Sequence, residues 1–346
     1  MTYAISTFIF EWAWGVLSDR TDRRLFIAAG LLSGALLIFL YTVSNSVQLF
    51  YILQFFRGAL FIMVGPAVKA LVSQLSSSRK LGLSMGLYSA TRTLGGVVGP
   101  ILGSSIAQFY SYQHALYAYS ITSLTGALMT LAISKNNTTK TNAGSSAQKQ
   151  EWKQLFTQKN IAILFLSPII IFMGNTTINS YIPLYASETI GMSTLEIGAL
   201  FTAASISGFI ATPIFGWISD RTGRKPVIFS GFLLSAAMFS GLFFAGTPAY
   251  LALALIALKM CFLPMTPLLL AMLSETTPQR LLGTSMGIYS TFENLGTVIA
   301  PPIYTAIWTI YTPALIFPFS GLMMLVGLTP LVLRRKAGSA SSGTQS

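Results

Sequence analysis

Long apolar stretches separated by short polar segments occupy almost the whole chain. At about 1.5 Å per residue, a helix of roughly 20 residues crosses a hydrocarbon core about 30 Å thick. The apolar residues do not alternate as they do in barrel strands, and a backbone in lipid must satisfy its own hydrogen bonds. The pattern therefore predicts an all-α membrane protein with eleven transmembrane helices. They lie near 1–18, 25–43, 47–74, 81–108, 113–133, 160–186, 194–218, 225–245, 248–273, 282–309 and 312–333.

Composition and charge fit this interpretation. Of the 346 residues, 53% are hydrophobic and 9% charged, whereas a soluble protein is roughly one quarter charged. A net charge of +12 would suggest a nucleic-acid partner if the basic residues formed one patch. Instead, most Lys and Arg residues fall in alternate loops or in the C-terminal tail. By the positive-inside rule these segments are cytoplasmic. We expect a multi-pass protein of the cell membrane with a cytoplasmic C-terminus and no nucleic-acid partner.

The chain contains an internal repeat. The segment Gly15–Arg24 aligns with Gly216–Lys225, and Ser84–Ser89 aligns with Ser285–Ser290. In both cases the second copy lies 201 positions after the first. A constant offset over such distances predicts two related helical units.

The repeat also predicts the domain boundaries. A polar, Ser-, Thr- and Lys-rich segment over 135–159 is typical of a flexible cytoplasmic linker. We expect five helices over 1–134, six over 160–333 and a cytoplasmic tail over 334–346. The helix near Ile161 has no counterpart 201 positions earlier, so the first unit is expected to lack one helix. A start misplaced by about 40 codons would explain this, as would a natural eleven-helix chain.

A charged loop follows the second helix of the second unit and the equivalent helix of the first unit, which is the first helix in this sequence. It reads Gly-x-x-x-Asp-Arg-x-Gly-Arg-Arg/Lys, with Asp22 in place of the second Gly in the first copy. This doubled loop resembles the signature of the major facilitator superfamily, and the resemblance covers essentially the whole chain. It implies two bundles around a cavity that opens alternately to each side, with the loops acting as gates. The alternative is a turn that only sets topology. The loop residues concerned are Gly15, Asp19, Arg20, Arg23, Arg24, Gly216, Asp220, Arg221, Gly223, Arg224 and Lys225.

A glycine series in the fourth predicted helix resembles the antiporter motif of the same superfamily. Glycines at this spacing let helices approach closely, and a proline bends the helix. The resemblance implies proton-driven export, and the alternative is ordinary packing of small residues. The series consists of Gly86, Gly95, Gly99, Pro100 and Gly103, followed by Ser104 where the motif has a last glycine.

Six ionisable side chains lie at bilayer depth in the predicted helices, where each costs at least ~2.5 kcal/mol. Lys69 lies close enough to the cytoplasmic end to reach the interface. The other five are candidates for the cavity or for coupling: Glu11, Arg57, Arg92, Lys259 and Glu293.

Arg92 and Glu293 occupy equivalent positions under the 201-residue offset. Our hypothesis is that Glu293 exchanges a proton as the bundles rock, while Arg57, Arg92 and Lys259 attract an anionic or polar substrate group. A structural ion pair is the alternative. Asn175, Asn179 and Tyr181 lie on the first helix of the second unit. They either contact substrate or hydrogen-bond to neighbouring helices.

These features favour a secondary-active transporter of small molecules, with efflux coupled to protons. The alternatives are an importer or anion exchanger of the same fold, and a non-transporting membrane protein or inactive fragment. We expect no enzymatic activity, no cofactor and no metal, because the sequence has no nucleotide-binding glycine loop or ligand cluster. The expected partners are a small-molecule substrate, protons or another coupling ion, and the bilayer. We expect a monomer.

Overall fold

The computed structural model describes residues 2–18, 22–44, 46–75, 81–132, 165–277 and 282–329. Over these residues the regular structure is helical and no strand occurs. This confirms the all-α fold class. The chain divides into two compact units, Met1–Asn142 (unit 1) and Ala143–Ser346 (unit 2).

Unit 1 contains five helices among its described residues. Helix α3 is interrupted at Ile62 and Met63 and then continues. The bounds are α1 Thr2–Ser18, α2 Arg23–Val43, α3 Val47–Phe61 and Val64–Leu75, α4 Leu81–Phe109, and α5 Tyr112–Ala132.

Unit 2 contains six helices among its described residues. The first, α6, includes a π-helical turn over Thr177–Tyr181. The bounds are α6 Leu166–Thr176 and Ile182–Glu188 on either side of that turn, α7 Thr194–Thr222, α8 Arg224–Gly241, α9 Pro248–Phe262 and Met265–Thr276, α10 Leu282–Ile310, and α11 Ile316–Val326.

The 201-residue offset recurs in the helix bounds. Helix α4 begins at Leu81 and α10 at Leu282, and each is 29 residues long. The interruptions of α3 and α9 also correspond. Pro66 and Pro267 follow them at equivalent positions, and a proline cannot donate the backbone hydrogen bond that would bridge the gap. The local sequence therefore sets these breaks in both units.

Five helical segments among the described residues are long and apolar enough to cross a membrane. They are Arg23–Val43, Tyr112–Ala132, Thr194–Thr222, Arg224–Phe244 and Pro248–Thr276. Many large apolar side chains on them are exposed, for example Leu253 at 71% and Met129 at 73%. Such an apolar exterior suits lipid as the surrounding solvent.

Each unit has its own packed interior. In unit 2 the core gathers side chains from all six helices around fully buried Phe232, Phe239 and Phe317. In unit 1 a smaller cluster joins Phe26 and Ile27 of α2 to Met63 and Ala67 of α3. Helices α1 and α3 cross closely at Gly58, where an added Cβ would lie 2.5 Å from the carbonyl oxygen of Tyr3.

Candidate functional site

The charged loop of unit 2 contains an ion-pair network centred on Arg224. Its guanidinium contacts Asp220 Oδ1 through Nη2 at 2.7 Å and donates through Nε to Glu275 Oε1 at 3.0 Å. It also donates to the hydroxyl of Ser219. The network ties the end of α7 and the start of α8 to the end of α9. The sequence motif contains Asp220 and Arg224, but Glu275 lies 51 residues beyond Arg224 and was not predicted.

Other residues of this loop have distinct settings. The Arg221 guanidinium lies 4.0 Å from the ring centroid of Trp217, a cation–π geometry. Gly223 has φ +93° and ψ 152°, a conformation open essentially to glycine alone. Gly216 lies within α7, and Lys225 is exposed.

The loop of unit 1 makes its turn with a different residue. Asp22 takes the position of Gly223 and caps α2, accepting from the backbone N–H of Arg24 at 3.0 Å. The Arg24 side chain binds the same carboxylate, with Nη2 2.9 Å from Oδ2. Arg23 is buried. Asp19 and Arg20, and the surroundings of Gly15, lie outside the described residues, so the gating prediction for them stays a prediction.

Three glycines of the series in unit 1 have no close neighbour among the described residues. Among the described residues, no atom lies within 4 Å of a Cβ added at Gly95, Gly99 or Gly103. Pro100 lies inside the continuous helix α4. The surroundings of Gly86 lie outside the described residues. No close helix approach occurs at Gly95, Gly99 or Gly103 among the described residues, and the antiporter role of the series stays a prediction.

The equivalent glycine of unit 2 is packed tightly. A Cβ added at Gly296 would lie 3.0 Å from the Cα and C atoms of Ile169, and closer still to its carbonyl oxygen. Gly296 thus lets α10 touch the backbone of α6. Gly95 is its counterpart in unit 1, where no described residue lies within 4 Å of an added Cβ.

Arg57 lies among aromatic rings in unit 1. Its guanidinium carbon is 5.3 Å from the ring centroid of Tyr3 and 5.7 Å from that of Tyr119. It also interacts electrostatically with Tyr41. Tyr41 and Tyr119 also form side-chain hydrogen bonds with Arg57, while Arg57 Nε and Gln54 Oε1 are buried without a hydrogen-bond partner among the described residues. Arg57 on α3 therefore lies next to side chains from three other helices, α1, α2 and α5.

Lys259 is deeply buried in unit 2, at 7% exposure. Its Nζ donates to the Ser205 hydroxyl at 3.0 Å and lies 4.8 Å from the ring centroid of Phe201. None of the ion pairs found among the described residues includes it. Its charge is stabilised by a hydroxyl and a ring.

The two residues paired by the repeat differ in setting. Arg92 is exposed on α4, and Glu293 is half-buried on α10. Glu293 interacts electrostatically with Tyr289, one turn earlier on the same helix. The Tyr289 side chain is buried, and its hydroxyl has no hydrogen-bond partner among the described residues. Each residue belongs to a different unit, so the predicted Arg92–Glu293 pair stays a prediction.

The polar residues of α6 fall into two groups. Asn179 is exposed and donates to Asn175 Oδ1 at 2.6 Å. Tyr181 is buried, and its hydroxyl contacts the Pro301 carbonyl at 3.2 Å and Thr305 Oγ1 at 3.0 Å. Tyr181 therefore links α6 to α10, and substrate contact by the two asparagines stays a prediction.

Sequence reasoning missed the aromatic neighbours of Arg57. Tyr3, Tyr41 and Tyr119 lie on three different helices, and no spacing along the chain connects them. The side chain of Glu11 lies outside the described residues. Over the described residues, no group of three His, Cys, Asp or Glu side chains could hold a metal ion.

Comparison with known proteins gives one family and several relatives. A family model described as Major Facilitator Superfamily matches residues 1–193 and 164–345. The multidrug resistance protein MdtG of Enterobacter lignolyticus is 22% identical over 94% of this chain and 79% of its own length. Two uncharacterized MFS-type transporters are similar over 94% of this chain. MJ1560 of Methanocaldococcus jannaschii is 22% identical over 85% of its length, and YuxJ of Bacillus subtilis is 23% identical over 84%.

Proposed function

This chain belongs to the Major Facilitator Superfamily, and on that premise we propose that it exports small molecules in exchange for protons by alternating access. Family membership supports membrane transport in general. The relatives named multidrug resistance protein favour efflux of organic compounds. Family membership alone gives neither the direction of transport nor the coupling ion, and we propose both.

The observation that carries the proposal is the carboxyl group of Glu293. It lies eleven residues after the start of α10, about 17 Å along the helix axis. A carboxylate at that depth is costly unless it is paired or protonated. A group that binds a proton in one state of the protein and releases it in another is what proton coupling needs. Tyr289, one turn earlier on α10, interacts electrostatically with this carboxyl group.

Proton-coupled flux in proteoliposomes tests the proposal. The purified protein is reconstituted with a pH-sensitive dye inside the vesicles, and a panel of organic cations, anions and neutral compounds is added outside. We expect at least one compound to move protons across the membrane in the wild type. Glu293→Gln should reduce that proton flux by roughly tenfold or more, because an amide cannot carry the proton.

A matched variant separates loss of coupling from loss of charge. Glu188 is an exposed carboxylate at the end of α6, and Glu188→Gln should leave the flux unchanged. Exchange of labelled substrate across the membrane without a pH gradient should persist in Glu293→Gln. Normal proton-coupled flux in Glu293→Gln would refute its coupling role. Absence of any compound-dependent proton flux in the wild type would refute proton-coupled export.

A further inference from the structure

Lys259 places an amine in the interior of unit 2 without a carboxylate beside it. The side chain is buried, and its Nζ lies 3.0 Å from the Ser205 hydroxyl and 4.8 Å from the ring centroid of Phe201. Within the described part of the chain no ion pair includes Lys259, and no other ionisable group there acts on the amine electrostatically. An ammonium ion in such a place is costly, and a buried group relieves this cost by giving up its charge.

The helices around Lys259 hold their other ionisable groups far from it. The segment Pro248–Phe262 of α9 packs mainly against α7 and α8. The nearest charge on α7 is Glu196, nine residues before Ser205 and so about 14 Å away along the axis. Only Cys261 lies within two helical turns of Lys259 on α9, and a thiol is uncharged at neutral pH. The full set on these helices is Glu196, Asp220 and Arg221 on α7, Arg224 and Lys225 on α8, and Tyr250, Cys261 and Glu275 on α9.

The hydrogen bond between Lys259 and Ser205 can persist whether or not the amine carries its extra proton. An ammonium group has three donors and no acceptor, whereas a serine hydroxyl can both accept and donate. The hydroxyl accepts from the charged amine and can turn to donate to the lone pair of the neutral amine. A carboxylate would instead favour the charged amine at all times, because it is only an acceptor and is itself charged. The site therefore suits an amine that gains and loses a proton.

A close crossing of α7 and α9 holds these two side chains together. A Cβ added at Gly208 would lie 2.9 Å from the carbonyl oxygen of Lys259, and the Ser207 hydroxyl donates to the carbonyl of Ile256 at 3.1 Å. Ser205 lies three residues before Gly208 and so on the same side of α7. The backbone contact therefore keeps Ser205 opposite Lys259 without a salt bridge.

We propose that Lys259 is a second proton-exchanging residue of unit 2, in addition to Glu293. In the conformation described above, one N–H bond of the ammonium breaks, its electron pair stays on Nζ, and the proton passes to water. In the state of the cycle in which water reaches Nζ, the amine takes up a proton and the ammonium forms again. The inference deepens the proposed function by naming a further coupling residue, and it rests on that function for the transport cycle.

The number of protons bound on unfolding tests whether the buried amine gives up its proton. The purified full-length protein is kept in weakly buffered neutral detergent at about pH 9, where an exposed lysine keeps its proton. A denaturing detergent unfolds it, and a pH-sensitive dye counts the protons taken up. We expect the wild type to take up about one proton more than Lys259→Met. Lys225 is exposed at the start of α8, so Lys225→Met is the matched control for this count and should match the wild type.

Transport measurements test whether this proton belongs to the cycle. For a compound that moves protons in proteoliposomes, Lys259→Met should lower the number of protons moved per substrate by about one, because a thioether has no proton to exchange. Lys259→Arg should lower it equally, since arginine keeps its proton at all times. A purely electrostatic role would instead survive in Lys259→Arg. Lys259→Met keeps the test decisive if Lys259→Arg does not fold, because an apolar side chain removes the need to bury a charge.

Two results would overturn the inference. One is equal proton uptake on unfolding by the wild type and Lys259→Met, which would show that the buried amine keeps its proton. The other is an unchanged number of protons per substrate in Lys259→Met, which would place Lys259 outside the cycle. Unfolding needs neither substrate nor gradient, so the proton count is independent of the flux assay. Absence of proton flux in the wild type would refute the proposed function, and the count would still decide whether Lys259 releases its proton.

Discussion

The contact between Gly296 and Ile169 gives the sharpest test of helix packing in unit 2. In Gly296→Ala, the new methyl group would lie 3.0 Å from two backbone carbons of Ile169 and closer still to the carbonyl oxygen. Ordinary contacts begin at 3.4 Å, so the two helices must separate by at least 0.4 Å. Because the opposing atoms belong to the backbone of α6, no side-chain rotation can relieve the overlap. Overpacking of this kind costs about 1–3 kcal/mol.

The repeat supplies the matched control. Gly95 is the equivalent residue in unit 1, and a Cβ there meets no atom within 4 Å among the described residues. Gly95→Ala should therefore stabilise α4 by roughly 0.5–1 kcal/mol through its higher helix propensity. The same substitution thus has opposite expected signs at the two positions.

Unfolding of the purified protein by a denaturing detergent measures both effects. Tryptophan fluorescence is a suitable signal, because the Trp308 ring on α10 is 6.0 Å from the Tyr181 ring on α6. We expect the midpoint to fall for Gly296→Ala and to rise or stay unchanged for Gly95→Ala. Equal midpoints for the two variants would refute the reasoning, since they would show that α6 does not press on Gly296.

Two further predictions concern the buried lysine and the loop of unit 2. Lys259→Met replaces a buried cation with an apolar side chain of similar length, so we expect the free energy of unfolding to rise, because a buried charge without an ionic partner is costly; an unchanged or lower value in the same detergent titration would contradict this. Gly223→Ala introduces a side chain at φ +93° and should cost roughly 1–3 kcal/mol, while Gly216→Ala, within α7 and with no atom of the described residues within 4 Å of an added Cβ, should stabilise the protein by roughly 0.5–1 kcal/mol; equal losses for the two alanine variants would argue against backbone strain at Gly223.

Much of the fold could be predicted from the sequence because its determinants are local. The eleven apolar stretches each contain a helix, and the break in α3 recurs in α9 because a proline follows at the same place in each unit. The family could also be predicted, since the loop motif and its 201-residue repeat are sequence features. The cap of α2 illustrates the same local control. Asp22 has a side chain that can accept the Arg24 N–H, whereas the equivalent Gly223 instead adopts a backbone conformation that other residues avoid.

The tertiary structure decided which of these residues meet. Gly95 and Gly296 are equivalent in sequence, yet among the described residues only Gly296 touches another backbone, because α6 lies against α10. Arg224 was predicted as part of a loop, but its partner Glu275 comes from the end of another helix. The tyrosines around Arg57 likewise come from three helices. The length of an apolar stretch, a proline and a capping side chain each determine structure within a few residues. The sequence by itself therefore determined the helices, and the repeat is visible in it directly. Side-chain partnerships depend on where helices cross, and only the packed units decide that.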